Sequence, residues 1–173
     1  MGDMQSALIV AVPEAEPAVR DLRSTLDRAS SWGVPAHVTV LYPFVPPDRL
    51  TAAVLRDVAA TIVAQPRFRV RFEQVSWFGE NVVWLKPSPD DPFRALTSAI
   101  WQRFPEYPPY EGEFDDVIPH MTVGHDQPLP VLRAAAATVS ARLPVSAEVG
   151  AVRLIAGGTE PGSWHTLCEF PLG

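Results

Sequence analysis

Two tetrapeptides in this sequence hold residue types that can do acid–base chemistry: His37-Val38-Thr39-Val40 and His120-Met121-Thr122-Val123. Chance gives ~0.025 occurrences of His-x-Thr-Val at this composition, so two copies are not an accident. Side chains alternate along a strand, so each motif sets an imidazole and a hydroxyl on one face and aliphatic anchors on the other. Two such strands facing across a groove would surround a tetrahedral phosphorus centre. One imidazole can take a proton from the attacking oxygen while the other gives one to the leaving oxygen. Thr39 and Thr122 can then hydrogen-bond the non-bridging oxygens. An ordinary imidazole pKa of ~6.5 lets one ring be neutral and the other charged near neutrality. This chemistry asks for no metal. The pair supplies two nitrogens, and a third ligand would have to be His125, His165 or a carboxylate at no recognisable ligand spacing.

The elements that must carry these motifs read as a repeat. Ala7 to Val12 is a continuous apolar run ended by Pro13, as in a strand buried on both faces. A helix is predicted over 14–30, a strand over 37–42, a proline-opened helix over 48–64 and an alternating strand over 68–73. The second half follows with a strand at 82–85, a helix from Asp90 or Asp91 to about Phe104, and a proline-broken loop over 105–119. A strand at 120–123, a helix over 130–142, an alternating run over 145–155 and a closing strand over 164–170 complete it. The offsets are 75 residues for the first strand, 83 for the motif strand and about 80 for the alternating strand, which points to an internal duplication. The fold class predicted is α+β: a bilobal duplicated unit, with two mainly antiparallel sheets facing a central groove and helices outside. Residues 1–173 would form one domain, with lobes at approximately 1–79 and 80–173.

Composition narrows the partners. A chain of 173 residues is one domain's worth and can bury a core without disulfides. The net charge is −6, with 13 arginines and one lysine, Lys86. Arg67, Arg69 and Arg71 alternate alone, so the basic patch of a long-polynucleotide binder is absent. A single cysteine, Cys168, fits a reducing cytoplasm. No apolar stretch is long enough for a membrane span. A cytoplasmic monomer is expected.

The paired motifs, in two repeated α+β halves, resemble the 2H phosphoesterase superfamily, also called the 2′,5′ RNA ligase-like or LigT-like proteins. The similarity lies in Ala36-His37-Val38-Thr39-Val40-Leu41-Tyr42-Pro43-Phe44, in Pro119-His120-Met121-Thr122-Val123-Gly124, and in the closing Trp164 to Gly173. The resemblance implies a hydrolase of 2′,3′-cyclic phosphates or 2′,5′-phosphodiester links, with no metal or other cofactor in the chemical step. The ligand it implies is a small nucleotide or short RNA. It also implies His37 and His120 as the catalytic pair, the first as acid and the second as base on water, with Thr39 and Thr122 on the phosphate.

Four further residues are candidate substrate contacts. Trp84 and Lys86 share a face of the 82–85 strand and can offer stacking and a positive charge. Tyr42 has the opposite parity to His37 unless the strand bends at Pro43. His125 lies just beyond the second motif strand. The 105–119 loop carries Glu106, Glu111, Glu113, Asp115 and Asp116 with no basic residue. As a lid it would repel long RNA and admit small nucleotides. No nucleotide-transfer lysine motif or glycine-rich phosphate loop supports ligase chemistry. The alternative reading is a non-catalytic nucleotide-binding module.

Overall fold

A computed structural model describes residues 3–173. The first apolar run is β1 (Gln5–Ala11), buried along its whole middle. Leu8 and Val10 belong to the main core, while Ala7 and Ile9 belong to a smaller apolar cluster on the other face. After a 3-10 turn come α1 (Glu16–Leu26) and α2 (Arg28–Ser31), then β2 (His37–Leu41), α3 (Ala52–Val63) and β3 (Phe68–Phe78). The second half runs β4 (Val82–Ser88), α4 (Asp91–Arg103), β5 (Met121–His125), α5 (Leu129–Ser140), β6 (Val145–Val149), β7 (Ala151–Gly157) and β8 (His165–Pro171).

Among the described residues, eight strands form two antiparallel sheets, ordered β2-β1-β7-β8 and β5-β4-β3-β6. Each sheet sets a motif strand at its edge beside the opening strand of a sequence half, so one topology occurs twice. The helices exchange sides: α1 leaves the first sheet and packs on β5, while α4 leaves the second and packs on β2. A contiguous core results, drawing Leu8, Val38 and Leu154 from one sheet and Phe72, Leu85 and Met121 from the other. Fully burying such a side chain contributes about 1.5–3 kcal/mol.

Three expectations are corrected. The helix predicted over 14–30 is broken at Asp27, whose extended backbone (φ −121°) ends α1. Its carboxylate accepts the Ala29 N–H and starts α2. The alternating run over 145–155 is two strands split at Gly150, β6 joining the second sheet and β7 the first. The sheets therefore do not follow the predicted division at 79/80. β3 precedes that boundary yet lies in the second sheet, and β7 and β8 follow it yet complete the first. Among the described residues, no helix is long and apolar enough to cross a membrane.

Candidate active site

The edge strands β2 and β5 approach each other where the sheets meet. His37 begins β2, and the same hydrogen bond fixes it as fixes His120 before β5. His37 Nδ1 lies 2.7 Å from the Pro35 carbonyl oxygen and His120 Nδ1 2.8 Å from that of Ile118, each two residues upstream. A carbonyl oxygen only accepts, so each Nδ1 carries the proton and each Nε2 presents a lone pair. Both rings are thus held in the tautomer that lets Nε2 act on a ligand.

Their charge states are set by burial. Burial and then the Arg23 guanidinium push His37 down to about 4, partly opposed by the Pro35 carbonyl and the Asp27 carboxylate. A charge on His120 adds to this lowering. Burial also holds His120 below its ordinary value, against the effect of the Ile118 carbonyl.

Beside His37 and Thr39 opens a cavity of about 300 Å³, walled by Trp32, Val34, Tyr42, Ile155 and Trp164. Trp164 lies tight on Gly157, where an added Cβ would come 2.5 Å from its Cγ. Glycine is what lets that ring close the cavity. A larger cleft of about 850 Å³ lies beyond Pro43 and contains no motif residue, so chemistry favours the smaller one.

Tyr42 is brought to this site by a bulge. Thr39 pairs with Ile9 but Leu41 with Leu8, leaving one extra residue between them. Val40 and Leu41 both enter the core, and Tyr42 turns onto the His37 face. β5 has the matching shift, with Thr122 opposite Trp84 but Gly124 opposite Val83. His125 thereby occupies the position equivalent to Tyr42, five residues past its histidine. It is engaged elsewhere: its Nε2 stands 3.4 Å from Asp27 Oδ1 and 3.2 Å from the Arg28 nitrogen.

Trp84 sits opposite Thr122 and packs edge-on to His120, with ring centroids 6.0 Å apart. It is only 5% exposed and stacks on Phe78, so it supports the histidine instead of offering a free face to a base. Its indole N–H is buried without a partner among the described residues. Lys86, exposed, follows Trp84 on the same face.

Two contacts escape the sequence reading. Phe78 lies edge-on to His120 at 5.0 Å, at the end of a strand longer than its alternating signal. Tyr110 reaches in from the 105–119 loop. Its backbone N–H donates to the Tyr42 carbonyl at 2.6 Å, and its hydroxyl sits against that of Thr39. Tyr110 and Glu111 have φ of 51° and 57°, left-handed values unusual outside glycine; the only local sequence signal is the glycine that follows, Gly112. Among the described residues, no cluster of three or more His, Cys, Asp or Glu side chains could hold a metal.

The fold is similar to apo LigT of E. coli, at 16% identity over 99% of each chain with a TM-score of 0.63. It is similar to E. coli LigT complexed with 3′-AMP at 16% identity over 98% of each chain, with a TM-score of 0.60. It also resembles TT0787 of Thermus thermophilus, at 19% identity over 96% of this chain and 97% of that one, with a TM-score of 0.66. No curated protein sequence matches the chain. The sequence pattern of the 2′-5′ RNA ligase superfamily, however, matches residues 11–160, and the chain belongs to that superfamily, the 2H phosphoesterases.

Proposed function

We propose that the chain hydrolyses a 2′,3′-cyclic phosphate or a 2′,5′-phosphodiester of a nucleotide or short RNA, with His37 and His120 as its acid–base pair. The observation that carries this reading is the matched restraint of the two rings. Each Nδ1–H is held by the carbonyl two residues upstream, leaving two Nε2 atoms to serve opposite sides of one phosphorus. Water attacks phosphorus as one Nε2 removes its proton. The ribose oxygen leaves as the other Nε2–H protonates it, and a phosphomonoester remains. Thr39 and Thr122 hydrogen-bond the non-bridging oxygens. The 300 Å³ cavity beside Thr39 suits a nucleobase, which its aromatic walls can bury. E. coli LigT, of similar fold, is crystallised with 3′-AMP, ATP and NADP+, which favours a nucleotide ligand here too.

Arg23 opposes protonation of His37, which favours His37 as the base and His120 as the acid. That is the reverse of the order the family resemblance implies. Hydrolysis of the four nucleoside 2′,3′-cyclic phosphates and of a 2′,5′-linked oligoadenylate, with EDTA present, tests the proposal. Release of phosphomonoester from either class supports it. No turnover of any of them by folded protein overturns it.

A further inference from the structure

The main buried charges among the described residues lie directly behind the first motif. Arg23 is 2% exposed and Asp27 5%, and Arg23 Nε donates to Asp27 Oδ2 at 3.0 Å. Replacing a buried ion pair by apolar groups is often neutral or stabilising, so stability alone does not account for it. The placement suggests another role. Glu16 and Arg23 share one face of α1 at i and i+7, with Asp27 as the extended residue that ends the helix, and that face meets the strap of residues 34–36 leading into His37. Arg23 Nη2 donates to the Val34 carbonyl at 3.0 Å, and the Ala36 N–H donates to Glu16 Oε1 at 2.8 Å. Between those anchors is Pro35, whose carbonyl holds His37 Nδ1. The helix grips the residues on either side of the one that orients the imidazole.

The network continues into the other sheet. Asp27 Oδ1 accepts the Ala29 N–H at 3.1 Å and faces His125 Nε2 at 3.4 Å. Burial opposes the Asp27 charge, yet His125 and Arg23 more than compensate and hold its carboxyl below the usual range. His125, for its part, is raised chiefly by Asp27. The charged groups acting on His37 are therefore Arg23 from α1, Asp27 at the end of that helix and His120 just before β5. They act with opposite signs: Arg23 and a charged His120 disfavour the imidazolium, and Asp27 favours it.

We infer that Arg23, held by Asp27, is a positioning residue for His37: it fixes the 34–36 strap that orients the imidazole and places a permanent positive charge behind the ring. The catalytic part of this inference rests on the hydrolase reading above; the part concerning the ring does not. Arg23 does not touch the substrate.

The test is an NMR titration of the His37 ring in wild type, Arg23→Met, Arg23→Lys and Asp27→Asn, run beside steady-state kinetics. Arg23→Met should move the midpoint up from about 4 towards ~6.5. Asp27→Asn should move it down. Arg23→Lys, keeping the charge but losing the fork, should stay nearer wild type in midpoint while losing kcat. A misplacement of a catalytic group by about 1 Å can cost on the order of 100-fold, here expected in kcat more than in KM. Midpoints that do not move, or that move the same way in Arg23→Met and Asp27→Asn, would overturn the inference, because mere loosening has no charge sign. Should Arg23→Met fail to fold, Arg23→Met/Asp27→Leu removes both charges. Its midpoint should still rise, since Arg23 acts on His37 more strongly than Asp27 does. A protein that shows the opposed shifts but no turnover on any phosphodiester would refute the hydrolase reading and leave the Arg23–His37 relation standing.

Discussion

The sharpest quantitative consequence concerns the pH dependence of the rate. Paired acid–base catalysis needs one imidazole charged and one neutral. In the free protein His37 protonates only at about 4, and burial puts His120 below its ordinary value of 6.5. The singly protonated pair is therefore most abundant between those limits. kcat/KM, which reports free protein, should peak on the acid side of pH 6.5 and fall tenfold per unit above its upper limb. From pH 6.5 to 8.5 the loss is about 100-fold. Substrate changes this in a defined direction. A phosphodiester monoanion about 4 Å from an imidazolium is worth ~4 kcal/mol at an effective dielectric of about 20. That is a rise of up to about three pKa units, so the upper limb of kcat should lie above that of kcat/KM. Initial rates across pH 4–9, with substrate varied at each pH, give both profiles. A kcat/KM optimum at or above pH 7, or a kcat limb below the kcat/KM limb, would refute the argument.

Stability should follow the same groups with a definite sign. Because His37 and His120 are lowered in the folded state, the unfolded chain binds more protons between about pH 4 and 6.5. Stability must therefore fall as pH falls through that window; urea unfolding should show it, with a shallower slope in His37→Ala. Tyr110→Phe keeps the ring contacts with Tyr42 and Phe114 and removes only the hydroxyl beside Thr39. It should cost kcat/KM about tenfold or more if that hydroxyl reaches the phosphate, with an unchanged melting temperature; an unchanged kcat/KM would assign Tyr110 to packing. A p-nitrophenyl phosphodiester needs little protonation of its leaving group. His120→Ala should recover much of its loss on that substrate and His37→Ala should not, whereas the opposite pattern would restore the order that the resemblance implies.

Much of this architecture is legible in the amino-acid sequence because its signals are periodic. The two His-x-Thr strands and the amphipathic helices follow repeats of 2 and 3.6 residues, β1 stands out as an unbroken apolar run, and their recurrence at similar offsets predicts the twofold pattern of the sheets. The features that escape are those where one residue breaks a period. An extra residue between Thr39 and Leu41 turns Tyr42 onto the His37 face, against its parity in a regular strand. Gly150 divides one alternating run between two sheets. Glu16 and Arg23 have the spacing of any solvated helix face, and only the packing of the 34–36 strap upon them reveals a buried network. Tyr110 depends on left-handed backbone that neither tyrosine nor glutamate announces. Trp84 is read from the sequence as sharing a face with Lys86 and able to stack on a base, and strand parity cannot show that Phe78 and His120 already occupy its ring.

The central claim is that two imidazoles act together on one phosphorus. The direct measurement is turnover of the best nucleoside 2′,3′-cyclic phosphate by wild type, His37→Ala, His120→Ala and the double variant, all in EDTA. Each single variant should lose at least ~100-fold. The double variant should be little worse than either, because groups acting as a unit are not additive. Losses confined to one histidine, or activity abolished by EDTA in wild type, would contradict the account.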